Sequence, residues 1–388
     1  MSVVSLISAA IDHSQVPPEE LVSVPAGVLA VLSGVVDPRS RRGVRHGCGA
    51  VLGIAVCAVL AGAKSYLAIA EWAHDLTPTV RSRLGIGRRA PCEFTIGRVL
   101  QRVDAEQLDQ AVCAWLGTRM TSEPGSPRVI AVDGKTARGS RCRRAGTGDR
   151  AVHLLAAFDT TSGAVLGQNV VDAKTNEISA FGPLLDRIDI AAAIVTADAL
   201  HTQRGHVTYL TGRGAHWLLT VKGNQPTLLA QLRALPWTDV PVADSTSDKG
   251  HGRMETRTLK LTAIATGIGF PGAQLALRVQ RRSRKTSSRR WRCETVYAIT
   301  DLTLEQTTAA GLADALRAHW AIENRLHWVR DVTFAEDHSQ IRTGNGPAVM
   351  AMLRNLAIGL HRQAGASNIA AACRTVSRHP GRALAMIM

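Results

Sequence analysis

No CxxC pair occurs in this 388-residue sequence, and its seven cysteines lie scattered at 48, 57, 92, 113, 142, 293 and 373. That spacing excludes a zinc knuckle and gives no disulfide framework, so a reducing compartment is the simplest setting. Long apolar runs are missing too. The longest, AVLGIAVCAVLAGA, covers Ala50–Ala63 and stops at Lys64. It is too short to span a bilayer and reads as a buried helix. The first twenty residues lack the basic start and cleavage site of a signal peptide, so a cytoplasmic protein is expected. Internal repeats and long low-complexity segments are absent. Acid is in deficit: 46 Lys and Arg face 31 Asp and Glu, a formal charge of +15. Such an excess suits a polyanion. With 45% apolar residues the chain has a globular composition, long enough for two or three domains.

What is present falls into segments. Residues 1–125 read as helical, with GVLAVLSGVVD, the Ala50 run and FTIGRVLQRVDAEQLDQAVCAWL at helical intervals. A basic turn, DPRSRRGVRHG at Asp37–Gly47, offers Arg39, Arg41, Arg42 and Arg45. TSEPGSPR, Thr121–Arg128, reads as a linker. Strand-like runs follow at Val129–Asp133, Ala151–Thr160 and Ala164–Ala173, the last two joined by a Thr161-Ser162-Gly163 turn. A helix capped by Thr175 or Asn176 comes next, then a strand at 192–199, a helix near 203–213 and a strand at 215–221. The order β-β-β-α-β-α-β predicts one mixed sheet flanked by helices. Residues 222–305 read as an insertion with its own β-structure, 305–332 as a long helix, and 346–388 as a C-terminal helical segment.

Two aspartates end strand-like runs: Asp133 in IAVDGKTARGS and Asp198 in VTADALHTQ. Alone, each is as easily a helix cap or a solvated strand end. If strands one and four are neighbours, the carboxylates converge at one sheet edge, where ligands gather. Close carboxylates repel until a cation or shared proton relieves them. Oxygen donors without cysteine suit Mg²⁺, with Mn²⁺ as substitute. The helix LRAHWAIENRLHWVRDV offers Glu323 as third ligand, with His319, His327 and Arg330 on its face at 3.6-residue spacing. A polar i,i+4 network, or a helical metal site of Glu323 and His327, fits the same letters. Glu336 and Asp337 are fallback ligands.

Basic residues cluster around these acids. Lys135, Arg138 and Arg141 follow Asp133, and RVQRRSRKTSSRRWR at Arg278–Arg292 has eight basic residues and no acid, among them Arg281, Arg282, Arg284 and Lys285. Lys222, Asn224 and Gln225 follow strand five. Beside a carboxylate site, such runs favour phosphate contact over simple solvation.

Together DPRSRRGVRH, AVDGKTARGS, KTNEI, VTADALHTQ, VKGNQ, HGRMETR and HWAIENRLHWVRDVTFAED resemble the DDE transposases of bacterial insertion sequences, in the branch that includes the H-repeat-associated proteins. The matching stretches run from about residue 37 to 345. The resemblance implies an RNase H-like catalytic domain over 126–345, with a β-rich insertion (222–305) before the last catalytic helix. It implies a triad of Asp133, Asp198 and Glu323 holding two Mg²⁺ ions. It also implies DNA cleavage at element ends, 3′-hydroxyl transfer to target DNA, and a homodimer in a synaptic complex on double-stranded DNA. The helical region 1–125 would read the terminal repeat. Many relatives carry Tyr, Arg, Glu and Lys on the helix; here the Arg place is His319 and the Lys place Arg330. A catalytically silent DNA-binding relative, or a nuclease without strand transfer, is the alternative reading.

Overall fold

The computed structural model describes residues 27–42, 44–119, 127–141, 150–171, 176–250, 252–264 and 267–388. Most of the linker expected at Thr121–Arg128 and the candidate cap Thr175 lie outside them. Among the described residues six helices come first: α1 (Val28–Ser33), α2 (Cys48–Leu60), α3 (Tyr66–His74), α4 (Pro78–Arg83), α5 (Glu93–Leu100) and α6 (Ala105–Thr118). All of α2 but Ala50 is buried. A helix apolar on every side must be wrapped on every side. Its neighbours do this together with α12 (Gly346–Gln363), α13 (Ile369–Arg378) and α14 (Pro380–Ile387) from the far end of the chain. Val56, Leu100, Leu353, Cys373 and Leu384 share one core. The N- and C-terminal helical segments are thus one packed unit around α2. Among the described residues no helix is long and apolar enough to cross a membrane.

Among the described residues nine strands form one sheet: β1 (Val129–Ala137), β2 (Val152–Asp159), β3 (Val165–Val171), β4 (Ile194–Ala197), β5 (His216–Val221), β6 (Asp244–Gly250), β7 (Arg253–Ala263), β8 (Leu275–Lys285) and β9 (Arg292–Thr300). Their order is β3-β2-β1-β4-β5-β9-β8-β7-β6. β4 runs parallel to β1 and β5; the other pairings are antiparallel. The first five positions are the RNase H-like mixed sheet expected. α7 (Glu177–Leu185) and α8 (Arg204–Gly212) cover one face, packing Phe181, Leu184, Val207 and Leu210 on Ile130, Val132 and Val195.

The segment 222–305 differs from the expectation in one respect. After α9 (Pro226–Ala234) its strands do not fold apart. β9 pairs with β5 from Leu218↔Thr300 to Val221↔Tyr297, so the insertion prolongs the same sheet. The reason is an open edge: β5 has a free row of backbone donors and acceptors until β9 supplies partners.

The expected long helix is α10 (Ala309–Ala321), capped by Thr308, then a π-helical stretch Ile322–His327, then α11 (Trp328–Val332). It packs on the second sheet face, with Ile322, Leu326 and Val329 among Ala131, Ala156 and Phe158.

Candidate functional site

Strand alternation decides where the acids point. Successive strand residues face opposite sides. Ile130 and Val132 pack under α7, while Ala131 faces the α10–α11 side. Asp133 has the parity of Ala131 and so faces that helix. On β4, Val195 and Ala197 go to the α7 side and Ile194 packs with Leu312 and Ala315 of α10. Asp198 has the parity of Ile194. The β1–β4 register ends at Val132↔Ala197, which leaves Asp133 and Asp198 as the next pair. One sequence expectation changes: β1 does not end at Asp133. It continues to Ala137 because β2 keeps pairing with it, through Ala137↔Val152. Asp133 ends only the parallel ladder.

The π-helical turn sets the third side. Glu323 Oε2 lies 3.2 Å from His327 Nδ1, and His327 Nδ1 lies 3.5 Å from Asp133 Oδ2. One donor atom from each of these three residues lies within 4.8 Å of the others. Widened turns of this kind occur often at functional sites. Burial, with Glu177, Glu323 and Asp198 nearby, pushes the Asp133 carboxyl up to about 7, against the lowering effect of the Gly134 N–H. The like charges of Glu177, Glu323 and Asp198 add to burial in raising it. A divalent cation would offset them, and the carboxylate-and-imidazole donor set fits one. Asp198 points its Oδ1 at Lys222 Nζ, 2.8 Å away. Burial opposes its ionisation, but Lys222 and the Ala199 N–H outweigh this and hold it below its usual range. Bonding to His327 keeps Glu323 low in the same way. The structure therefore brings Asp133, Glu323 and His327 together, with Asp198 beside them on a lysine.

Burial drives the His319 imidazole down to about 4, helped by Lys222, His201 and His327 and opposed by Asp198. It is neutral near pH 7, with Nδ1 3.2 Å from Thr196 Oγ1. It can serve phosphate only as a neutral donor. His327 is also kept neutral by burial, and its Nε2 is buried without a partner.

The remaining candidates divide by what already engages them. Arg330 is fully buried and pairs with Glu336 at 2.7 Å, and Glu336 pairs with Arg354 at 2.9 Å. This corrects two expectations. Arg330 is unavailable to DNA, and Glu336 is no fallback ligand, because the two form a buried ion cluster that joins α11 to α12. Asp337 accepts from the Arg138 backbone N–H. Asn224 and Gln225 donate to the carbonyls of Ala199 and Thr202, at 2.6 and 2.8 Å, so their amides brace the loop after Asp198. Lys135 pairs with Asp331 at 2.7 Å, and Arg281 is shared by Glu255 and Glu294. Arg138 and Arg141 are exposed. Arg282 and Arg284 stack on Trp291 at 5.2 and 5.1 Å from the ring centre, and Lys285 ends β8 exposed. In the N-terminal turn Arg39 is tied to Asp37 and the His46 carbonyl, whereas Arg41, Arg42 and Arg45 are exposed.

One functional candidate went unassigned at the sequence level. Glu177, in the KTNEI stretch, bonds His153 Nε2 at 2.6 Å and His201 Nε2 at 3.2 Å. These two bonds hold its carboxyl down at about 2. His153 sits on β2 across from β1, and His201 lies three residues after Asp198. A Cβ at Gly134 would overlap the Glu177 carboxylate. Glu177 thus ties β2, the neighbour of the strand bearing Asp133, to the loop bearing Asp198. The only sequence signal was an acid at a helix start, which is also what an ordinary first turn shows.

Residues 124–360 match the family described as Transposase DDE domain, and residues 29–116 match one described as DDE_Tnp_1-associated. "Putative transposase YncI" of Escherichia coli O157:H7 is 30% identical over 354 residues, covering 86% of this chain and 87% of that one. "H repeat-associated putative transposase YhhI" of Escherichia coli K12 is 31% identical over 343 residues, covering 85% and 88%. Among solved structures, a piggyBac transposase synaptic complex with hairpin DNA aligns at a TM-score of 0.43 and 10% identity, over 91% of this chain and 77% of that one.

Proposed function

We propose that this chain, which belongs to the Transposase DDE domain family, cuts DNA at the ends of a bacterial insertion sequence and joins them to target DNA. The observation that carries the reading is the meeting of Asp133 and Glu323 around His327, with Asp198 at the next register position. A charge of +15 suits the polyanionic substrate.

The chemistry is two phosphoryl transfers. In the first, a water oxygen bonds to the phosphorus at the element end, the P–O3′ bond breaks, and the element keeps a free 3′-hydroxyl. In the second, that 3′-oxygen bonds to a target phosphorus and the target's 3′-oxygen leaves. Divalent cations held by Asp133, Asp198 and Glu323 would activate each nucleophile and stabilise each leaving oxygen. The chain's own groups prepare for this. His327 orients the Asp133 and Glu323 carboxylates. Lys222, now the partner of Asp198, is placed to take a phosphate when that aspartate turns to a cation. His319 offers a neutral N–H at the same edge. A homodimer on paired element ends follows from the same reading.

The test is a DNA fragment carrying the inverted repeats that flank this reading frame, incubated with Mg²⁺ or Mn²⁺. Nicks at the repeat ends support the function. Binding without cleavage under every metal condition favours the silent relative, and cleavage without joined products favours a plain nuclease.

Glu177 gives a separate expectation. In Glu177→Gln the clamp loses its charge but keeps its shape. Cleavage should fall about 10- to 100-fold, the usual effect of residues that orient ligands. More metal should be needed for half-maximal rate, and duplex affinity should stay unchanged. Unaltered metal dependence would count against the clamp.

A further inference from the structure

Behind the catalytic helix lies an open cleft of about 680 Å³ that the chemistry above does not use. It is lined by Ser162 of the β2–β3 turn, Arg325 and Trp328 of the helix, Arg362 at the end of α12, and Asn368 at the start of α13. Arg325 and Arg362 close on the same point. A Cβ at Gly163 would overlap Arg362 Cδ and come within 2.9 Å of Arg325 Nη2. Gly163 has φ +72, so the turn both requires glycine and makes room for the two guanidiniums.

Among the described residues no carboxylate bonds to either guanidinium. Arg325 Nη1 donates to the Thr160 carbonyl at 2.7 Å, and Arg362 Nη2 donates to the Arg325 carbonyl at 2.6 Å. Asp159 acts on Arg325 through charge, against the burial that lowers it, but is itself bonded to Arg128 at 3.0 Å. Arg362 Nε is buried with no partner. Burial, and then the charge of Arg325, pull the Arg362 guanidinium down to about 10. Two like charges in a half-buried cleft are costly unless an anion joins them. Guanidinium forks match the oxygens of a phosphate. Asn368 caps α13, so the ten-residue helix also directs its positive end into the cleft.

We propose that Arg325 and Arg362 form a second phosphate site, which grips one backbone phosphate of bound DNA away from the carboxylates. The inference rests on the DNA-cutting function above and adds a contact to it. Because inorganic phosphate has the same chemistry, the test must separate the two sources.

The full-length chain is titrated with a duplex carrying an element end over a range of salt. Its melting temperature is also measured in phosphate and in chloride of equal ionic strength. Three variants are compared with wild type: Arg362→Gln, Arg362→Lys and Ser162→Glu. Arg362→Gln should weaken duplex binding and reduce the slope of log K against log salt by about 1, the loss of one phosphate contact. Phosphate should raise the melting temperature of wild type more than chloride does, and this difference should vanish in Arg362→Gln. Arg362→Lys should keep most of the slope. Ser162→Glu places a carboxylate beside the arginines, so it should raise the melting temperature while weakening DNA binding. That pair of opposite signs remains readable if Arg362→Gln fails to fold. Equal slopes for wild type and both Arg362→Gln and Ser162→Glu overturn the proposal. A phosphate effect that depends on Arg362, with the slope unchanged, also overturns it in favour of free phosphate. A wild-type chain that binds no duplex at all brings down the broader function, a result distinct from either.

Discussion

Glu336→Gln is expected to lose on the order of 3–5 kcal/mol of stability, the cost of leaving buried charge uncompensated. Glu336 is 1% exposed and accepts from Arg330 Nε at 3.0 and 3.1 Å, from Arg330 Nη2 at 2.7 Å and from Arg354 Nη1 at 2.9 Å. Both arginines are buried, so the glutamine variant keeps two guanidiniums and no anion. The cluster is also where α11 meets α12, so its loss should loosen the helix carrying Glu323. The pH dependence follows from the same charge. Burial works against Glu336 ionisation, but Arg330 and Arg354 overcome it and hold the carboxyl at about 2, below the ordinary 4.5. A lowered carboxyl contributes stability that is complete above 4.5 and disappears as pH falls toward 2. Denaturant melts at pH 7 and across the acid range check both points. The variant should be less stable at pH 7 and should lack this part of the acid limb. A wild-type melting profile in Glu336→Gln would contradict the account.

The second large effect is catalytic. Asp133→Asn, Asp198→Asn and Glu323→Gln should each reduce end cleavage by about 10³-fold or more, while duplex binding at moderate salt holds or improves. Groups that act as one unit are not additive. The Asp133→Asn, Glu323→Gln double variant should therefore be little worse than either single one. His327→Gln should lose less, about 10- to 100-fold, because its imidazole orients the two carboxylates. Cleavage rates measured under single-turnover conditions distinguish these cases. Multiplying losses in the double variant would mean that Asp133 and Glu323 work at separate places.

Much of this was legible in the letters, for physical reasons. Period-two alternation and the hairpin order put β1 inside the sheet, so Asp133 and Asp198 could be matched before any coordinates. Helical spacing found His327 beside Glu323. It failed at Arg330, because the π-helical stretch and the Ala335 turn (φ +50) carry the chain so that Glu336 meets Arg330 in the interior. A 3.6-residue rule cannot anticipate an inserted residue in the turn. Asn224 and Gln225 read as DNA contacts beside the carboxylates, but their bonds close a loop. The β-structure of 222–305 was legible, but not its joining to the main sheet, because pairing between β5 and β9 links residues about eighty apart in sequence, beyond any local pattern. Glu177 escaped for the same reason: its partners His153 and His201 lie 24 residues away on either side.

The most direct measurement follows nicking of a supercoiled plasmid that carries the element ends, with and without Mg²⁺, for wild type beside Asp133→Ala. Metal-dependent nicks at the ends by wild type alone are the predicted result. Equal nicking by Asp133→Ala would show that the chemistry does not take place where β1, β4 and the catalytic helix meet.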